Sequence, residues 1–209
     1  MRNKAILKNS LVVRLLIAYL TPTLFFLALF GLLAHRVAKT NLENSLGHQL
    51  TSIAQTAAIQ VRSEAIRFLS PGDDESRTAV RIKHKLERIR KRVGARRVFI
   101  LDQNLRSRMD TDPTIRIGDP YYQVKADRHE LDKVFAGEVA SSVLFKGIDG
   151  RFYKTGYAPI SQDNKVIAAF GVEGSAKFFG ALGRLRTYLL LTGFITSVLI
   201  VLVSLFLAR

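Results

Sequence analysis

Two long apolar runs without a single charge constrain this chain more than any other feature. One covers residues 15–33, 19 in all, and the other covers residues 188–208, 21 in all. A helix needs about 20 apolar residues to cross about 30 Å of hydrocarbon, so both are long enough. As the buried helix of a small soluble domain, either run would leave apolar surface all round it. The sequence therefore predicts two transmembrane helices, 15–33 and 188–208, that hold one central domain, 34–187. A signal peptide is the alternative for the first run, given the basic start of Arg2, Lys4 and Lys8. Its apolar stretch exceeds the roughly 7–15 residues of a signal core, which favours an uncleaved anchor. Pro22 is tolerable inside such a helix, where Thr21 and Thr23 can satisfy freed backbone groups.

Arg2, Lys4, Lys8 and Arg14 favour a cytoplasmic N-terminus, residues 1–14, and Arg36 and Lys39 oppose it. Arg184 and Arg186 precede the second run and only Arg209 follows it. The expected topology has both ends inside and the central domain outside, because long loops are largely exempt from the charge rule. Cysteine is absent, which fits an oxidising compartment without disulfides and excludes thiolate catalysis and cysteine-based zinc sites. The net charge is +15, and 27 of the 32 basic residues lie between the runs with all 17 acidic ones, so the loop carries +10. Such a surface attracts anionic lipid, polyanions or acidic solutes. Nucleic acid is not an expected partner of a domain outside the cell.

Between the runs the periodicity changes in a definite order. Leu42, Leu46, Leu50, Ile53, Ala57, Val61, Ala65 and Phe68 recur every three or four residues and predict a helix that continues from the first span. Ser70-Pro71-Gly72-Asp73-Asp74 ends it. A second helix is predicted over 78–93, with Thr78 as N-cap, Gly94 at its end and Ile82, Leu86, Ile89 and Val93 on its apolar face. Strands follow at 97–101 and 105–109, then an irregular stretch, 110–126, and a short helix over 127–136 capped by Asp127. Three more strands are predicted at 139–146, 151–160 and 166–173, with Asp149-Gly150 as the hairpin signal between the first two. Ser175 would cap a last helix of about 33 residues, or roughly 50 Å, that enters the second span. The fold class is α+β, a five-stranded antiparallel sheet backed by the long N-terminal helix and flanked by the two transmembrane helices.

Three stretches carry a family resemblance: RRVFILDQNLR after the helices, the short helix, and GIDGRFYKTGYAPISQDNKVIAAFGVEGS. This order between two spans resembles the single Cache domains, PAS-like extracytoplasmic modules of bacterial sensor histidine kinases and chemoreceptors. The similar parts are the Asp149-Gly150 hairpin, the strand ending Tyr157-Ala158-Pro159-Ile160, and the closing Gly171-Val172-Glu173-Gly174. They lie within residues 42–177. Asn164 departs from the family, where many members have Gly in the turn. The family continues into a cytoplasmic output region, and this chain ends at the membrane. The expectation is that output lies in further residues or in a separate cytoplasmic signalling partner. The resemblance also implies a bacterial inner-membrane location and a homodimer.

In such folds a small ligand sits between the sheet and the irregular segment with its short helix. Alternation along 151–159 puts Tyr153, Thr155 and Tyr157 on one face. Tyr121 and Tyr122 belong to the covering segment, with Lys125 close behind. Phenol hydroxyls and a cationic head suit a carboxylate or other anionic solute, and ordinary sheet aromatics with polar tips are the alternative. Glu173 can bind an amine or pair with a nearby base. The basic helix from Arg81 to Arg92 can contact headgroups or a polyanion, or be a solvated face. Gly193 and Ser197 form a small-xxx-small pair suited to a helix dimer.

No cofactor or metal is expected. Asp110, Asp112 and Asp119 lack the spacing of a calcium loop, and Pro113 interrupts them. His129-Glu130 is not followed by a second histidine at metalloprotease spacing, and P-loop, GxSxG and dinucleotide signatures are absent. Two functions fit. The first is a signal-input module, not itself an enzyme, that binds a small solute and moves the helix of the second span. The second is a membrane-anchored interaction subunit that holds an acidic protein, lipid or polyanion without a small ligand.

Overall fold

The computed structural model describes the backbone of residues 2–207, with the side chains of 2–13, 15–17, 124–125, 178–186, 201 and 204–207 left out of the description. The chain divides into two compact units, Met1–Asn41 with Phe178–Arg209, and Leu42–Lys177.

The first unit contains most of α1 (Arg2–Gln60) and all of α5 (Phe178–Leu207). Within α1, Ala18–Gln60 is long and apolar enough to cross a membrane. Phe25, Phe26, Phe30 and Leu32 are all exposed there. In α5 the described apolar stretch is shorter, Thr187–Ile200. The rest of the expected second span falls largely on residues whose side chains are outside the description. The two helices touch each other: a Cβ on Gly193 would lie 3.0 Å from Leu27, and one on Gly31 would lie 3.7 Å from Leu189. Gly193 therefore faces α1 of its own chain rather than being free for a helix dimer.

In the second unit α1 ends at Gln60 instead of running to Ser70. After Val61 and Arg62 comes the short α2 (Ser63–Arg67), so the expected stripe loses phase. Ile66 and Leu69 are buried in place of Phe68, which is 78 % exposed. A single 3₁₀ turn (Asp73–Glu75) leads into α3 (Arg77–Val93). Its N-cap is Ser76, whose hydroxyl accepts from the Ala79 N–H, rather than Thr78, and Gly94 closes it in the left-handed region at φ 64°.

The sheet is antiparallel. Strands β1 (Arg97–Asp102), β2 (Ser107–Asp110), β3 (Ala140–Ser141), β4 (Phe145–Lys146), β5 (Phe152–Gln162) and β6 (Lys165–Ser175) lie in the order β2-β1-β6-β5-β3, with β4 also on β5. The expected strand 139–146 is two short strands on one edge. Ser142 spans the break: its hydroxyl donates to the Val143 carbonyl and accepts the Thr155 N–H. The β5–β6 turn places Asp163 and Asn164 at φ 48° and 60°. Both have the short polar side chain that tolerates this conformation, which makes a two-residue hairpin without glycine possible. Ser175 ends β6 instead of capping α5, which starts at Phe178.

One sheet face is closed by α1, α2 and α3. Val98, Ile100, Phe170, Val172, Ala158 and Ile160 pack there against Leu50, Ala54, Ala57, Ile82 and Leu86. Burying each large side chain contributes about 1.5–3 kcal/mol. The alanines of α1 bring its backbone close to the sheet. At the closest point a Cβ on Gly156 would collide with the Leu50 and Thr51 backbone, so only glycine fits. The other face carries a smaller core, Phe99, Leu101, Tyr121, Leu131, Val134, Tyr157 and Ala169. It is covered by the irregular segment after β2 and by α4 (Val124–Phe135). Gly171 belongs to this face and lies under the Phe99 ring, which a Cβ would strike.

Candidate functional site

The second face is where polar groups are buried. Strand alternation assigns it Arg97 and Phe99 from β1, Gly171 and Glu173 from β6, and Tyr153, Thr155 and Tyr157 from β5. The register aligns them in rows: Arg97 opposite Glu173, and Glu173 opposite Thr155, in one row. Phe99, Gly171 and Tyr157 form the next.

The row of Arg97, Glu173 and Thr155 is incompletely paired. Arg97 Nε donates to both carboxylate oxygens of Asp110 at 3.0 Å, and its Nη2 is also bonded to Asp110. Arg96 Nη1 donates to Glu173 Oε1 at 2.6 Å. Arg97 Nη1 and Glu173 Oε2 face each other at 4.0 Å, too far for a hydrogen bond. Both are buried without a hydrogen-bond partner, as is Thr155 Oγ1. A buried polar atom left unpaired costs about 1–3 kcal/mol, so three in one row is an expensive arrangement for a purely structural site. Burial pushes the Glu173 carboxyl above its ordinary range, and Arg96 and Arg97 pull against that. Burial opposes the Arg97 charge, but Asp110 outweighs it and holds the guanidinium cationic.

Aromatic rings surround this row. The Arg97 guanidinium carbon lies 4.5 Å from the Phe99 ring centre and 5.1 Å from that of Tyr122. Arg96 lies 4.1 Å over Tyr153. Phe99 stacks on Tyr121 with centroids 5.5 Å apart and meets Tyr157 edge-on at 6.1 Å.

The next polar group is Asp127. It was expected as an N-cap, but α4 starts three residues earlier, after Gln123, and carries Asp127 in its first turn against the sheet. Its Oδ2 accepts from the Tyr157 hydroxyl at 2.7 Å and from the Tyr121 hydroxyl at 2.9 Å, and those two hydroxyls are 2.7 Å apart. Tyr121 OH is also 2.9 Å from Gln123 Oε1. This closed network ties α4 and the covering segment to β5. Burial raises the Asp127 carboxyl, against the pull of the two phenols. It also raises both phenols, with Asp127 adding to the effect, so both remain donors.

The expected residues therefore separate. Thr155, Tyr157 and Tyr121 are buried on one face, and Tyr122 stands at its rim, 59 % exposed, beside Arg97. The Tyr153 hydroxyl is occupied, donating to Asp149 in the hairpin at 2.5 Å. The Lys125 side chain lies outside the described residues. Arg97 and Asp127 were not among the expected site residues, and Glu173 was left open between an amine and a base.

No protein-family model matches this chain, and no curated protein does. Solved structures do. The sensory domain of the Campylobacter jejuni chemoreceptor Tlp3 with isoleucine bound is 12 % identical, with 84 % of this chain and 65 % of that one covered and a TM-score of 0.47. The E. coli DcuS sensor domain is 18 % identical, with 70 % and 98 % covered and a TM-score of 0.49. The sensor domain of the V. cholerae histidine kinase DctB is 11 % identical, with 89 % and 61 % covered and a TM-score of 0.46. The chain is similar to bacterial sensor domains. It spans less than two thirds of the Tlp3 and DctB domains and nearly all of the DcuS domain.

Proposed function

We propose that residues 42–177 are the signal-input module of a membrane-anchored sensor and bind a small solute against the row of Arg97, Glu173 and Thr155. The observation that carries this is the set of three buried polar atoms without partners in adjacent register positions. A ligand that presents a donor to Glu173 Oε2 and acceptors to both Arg97 Nη1 and Thr155 Oγ1 would satisfy all three. A small amine with an acceptor group, of which an amino-acid-like zwitterion is the simplest case, fits this better than a plain dianion. The buried carboxylates Asp110, Asp127 and Glu173 outnumber the one buried guanidinium of the face, Arg97. Tyr121, Tyr122 and Tyr157 would then wall the ligand, with Lys125 at the start of the covering helix.

The module's anchors would be the two spans, 15–33 and 188–208, with residues 1–14 in the cytoplasm and 34–187 outside the inner membrane. Two copies would pair as a homodimer, and the output would be a cytoplasmic partner or region. Thr155 and Tyr157 flank Gly156, which carries the α1 backbone at Leu50 on the opposite face. Glu173 lies on β6, which ends three residues before α5 begins. A ligand that moves β5 against β6 has both membrane helices within reach. It shifts the equilibrium only as far as it binds the two states differently.

The test is thermal unfolding of the full chain in nanodiscs against amines, amino acids and dicarboxylates. A ligand at about 100 times its dissociation constant stabilises by about 2.7 kcal/mol. Stabilisation by amines or amino acids alone is expected. Stabilisation by dicarboxylates alone would contradict the amine assignment, and a chain that ignores the whole panel would contradict ligand binding.

A further inference from the structure

A second feature lies on the other side of the sheet and does not depend on the ligand row. Helix α3 distributes its charge unequally. Arg81, Lys85, Arg88 and Arg92 follow the spacing i, i+4, i+7, i+11 and so share one flank. They extend over about 16 Å at 1.5 Å per residue. The other flank has Lys83, Glu87 and Arg90, and there Glu87 pairs with Arg90 at 2.9 Å. The first flank, which has no ion pair among the described residues, borders two cavities between α3 and the end of α1. One of roughly 590 Å³ is lined by Val61, Ala65, Ile82 and Leu86 and rimmed by Arg62, Arg81, Lys85 and Arg88. The other, roughly 300 Å³, continues along the same two helices over Ile53, Ala57, Ile89 and Val93 to Arg92. Between them Lys85 Nζ donates to the Gln60 carbonyl across the groove. Among the described residues, no carboxylate lines either cavity.

We infer that this groove between α1 and α3 docks an acidic amphipathic helix of a partner protein. Cations on successive turns match carboxylates on successive turns of a second helix. The apolar floor takes the side chains beside those carboxylates, which is the helix-in-groove mode of recognition. A single compact anion would meet only one or two of the cations. A second copy of this chain would bring the same five positive charges against them, so the groove is not the homodimer seam. Exposed rim charges steer association and are screened by salt.

The test uses the full chain in phosphatidylcholine nanodiscs and a fluorescent helical peptide of about five turns, with Glu at i, i+4, i+7 and i+11 and Leu beside them. A shuffled peptide of the same composition is the reference. The patterned peptide should bind about tenfold more tightly than the shuffled one and weaken as salt rises from about 50 to about 300 mM. Arg88→Glu should reduce its binding by about tenfold, whereas Lys83→Glu, the same charge change on the other flank, should leave it within about threefold. Both variants are at exposed or half-buried positions, and unchanged thermal unfolding would confirm their fold. Equal binding of the two peptides, or equal losses in the two variants, would overturn the inference. So would binding to phosphatidylglycerol vesicles without binding to the peptide, which would assign the groove to lipid.

Discussion

The two faces of the sheet are built to different rules. Under α1 and α3 the face is mainly apolar, and one glycine, Gly156, lets the helix backbone rest on the strand. Under α4 the face holds Arg97, Asp110, Asp127, Glu173 and three buried tyrosines, with three polar atoms unpaired in one row of the sheet. Packing of the first kind contributes stability through apolar burial. The second kind sacrifices stability at defined atoms, as sites do when a ligand completes them.

That contrast can be broken by mutation. The largest effect belongs to the packed face: Phe170→Ala should cost about 3–5 kcal/mol through lost burial and the cavity left behind, seen as a lowered thermal midpoint of the full chain. Tyr157→Phe should cost less, about 1–3 kcal/mol, because it removes one of two donors to the buried Asp127 carboxylate while keeping the ring. A loss as large as that of Phe170→Ala would mean that the polar network, not the apolar core, holds the fold. Thr155→Val should change the stability of the unliganded chain by less than about 1 kcal/mol, because it deletes a hydroxyl that has no partner. The same change should weaken ligand binding, and a strongly destabilised variant would place Thr155 in the structural set instead.

The smallest expected effect is one of pH, and its sign separates the two roles of Glu173. Burial raises its folded-state carboxyl above the ordinary value of 4.5. The folded chain therefore holds this proton more tightly than the unfolded chain. Its contribution to stability is complete below the ordinary value and is lost as pH rises through the raised one. Amine affinity should run the other way and increase over the same window, since the amine requires the ionised carboxylate. Unfolding curves of the wild type and Glu173→Gln, with and without amine, across this window would show whether the two slopes oppose.

Much of the fold is legible in the chain because its signals are local. RVFIL is a strand in the structure, Asp149-Gly150 is a turn, and β5 and β6 are joined where Ser161 to Asn164 predicted a reversal. The failures have local causes too. Asp127 reads as the N-cap of a short helix, but the helix begins at Val124 and turns the carboxylate inward. The edge strand 139–146 reads as continuous, and only the Ser142 bonds to β5 and to its own neighbour reveal the break. The stripe through Phe68 fails because two residues, Val61 and Arg62, interrupt the helix.

The site was half legible for a different reason. Alternation along one strand is enough to bring Tyr153, Thr155 and Tyr157 to one face. Arg97 and Glu173 lie 76 residues apart and become neighbours only through the β1–β6 register, which no local pattern fixes. Alternation in RVFIL puts Arg97 on the Phe99 side, and that is the local signal for it.

The central claim is that the unpaired row is a ligand site, and the measurement that tests it most directly is the ligand-induced thermal shift of Glu173→Gln beside that of the wild type. The variant keeps an acceptor for Arg96 and removes the negative charge. The account predicts that it folds, with a midpoint close to that of the wild type, and that the stabilisation by amine or amino acid disappears. A variant that is stabilised as strongly as the wild type would contradict it, and the solute would then have to bind elsewhere.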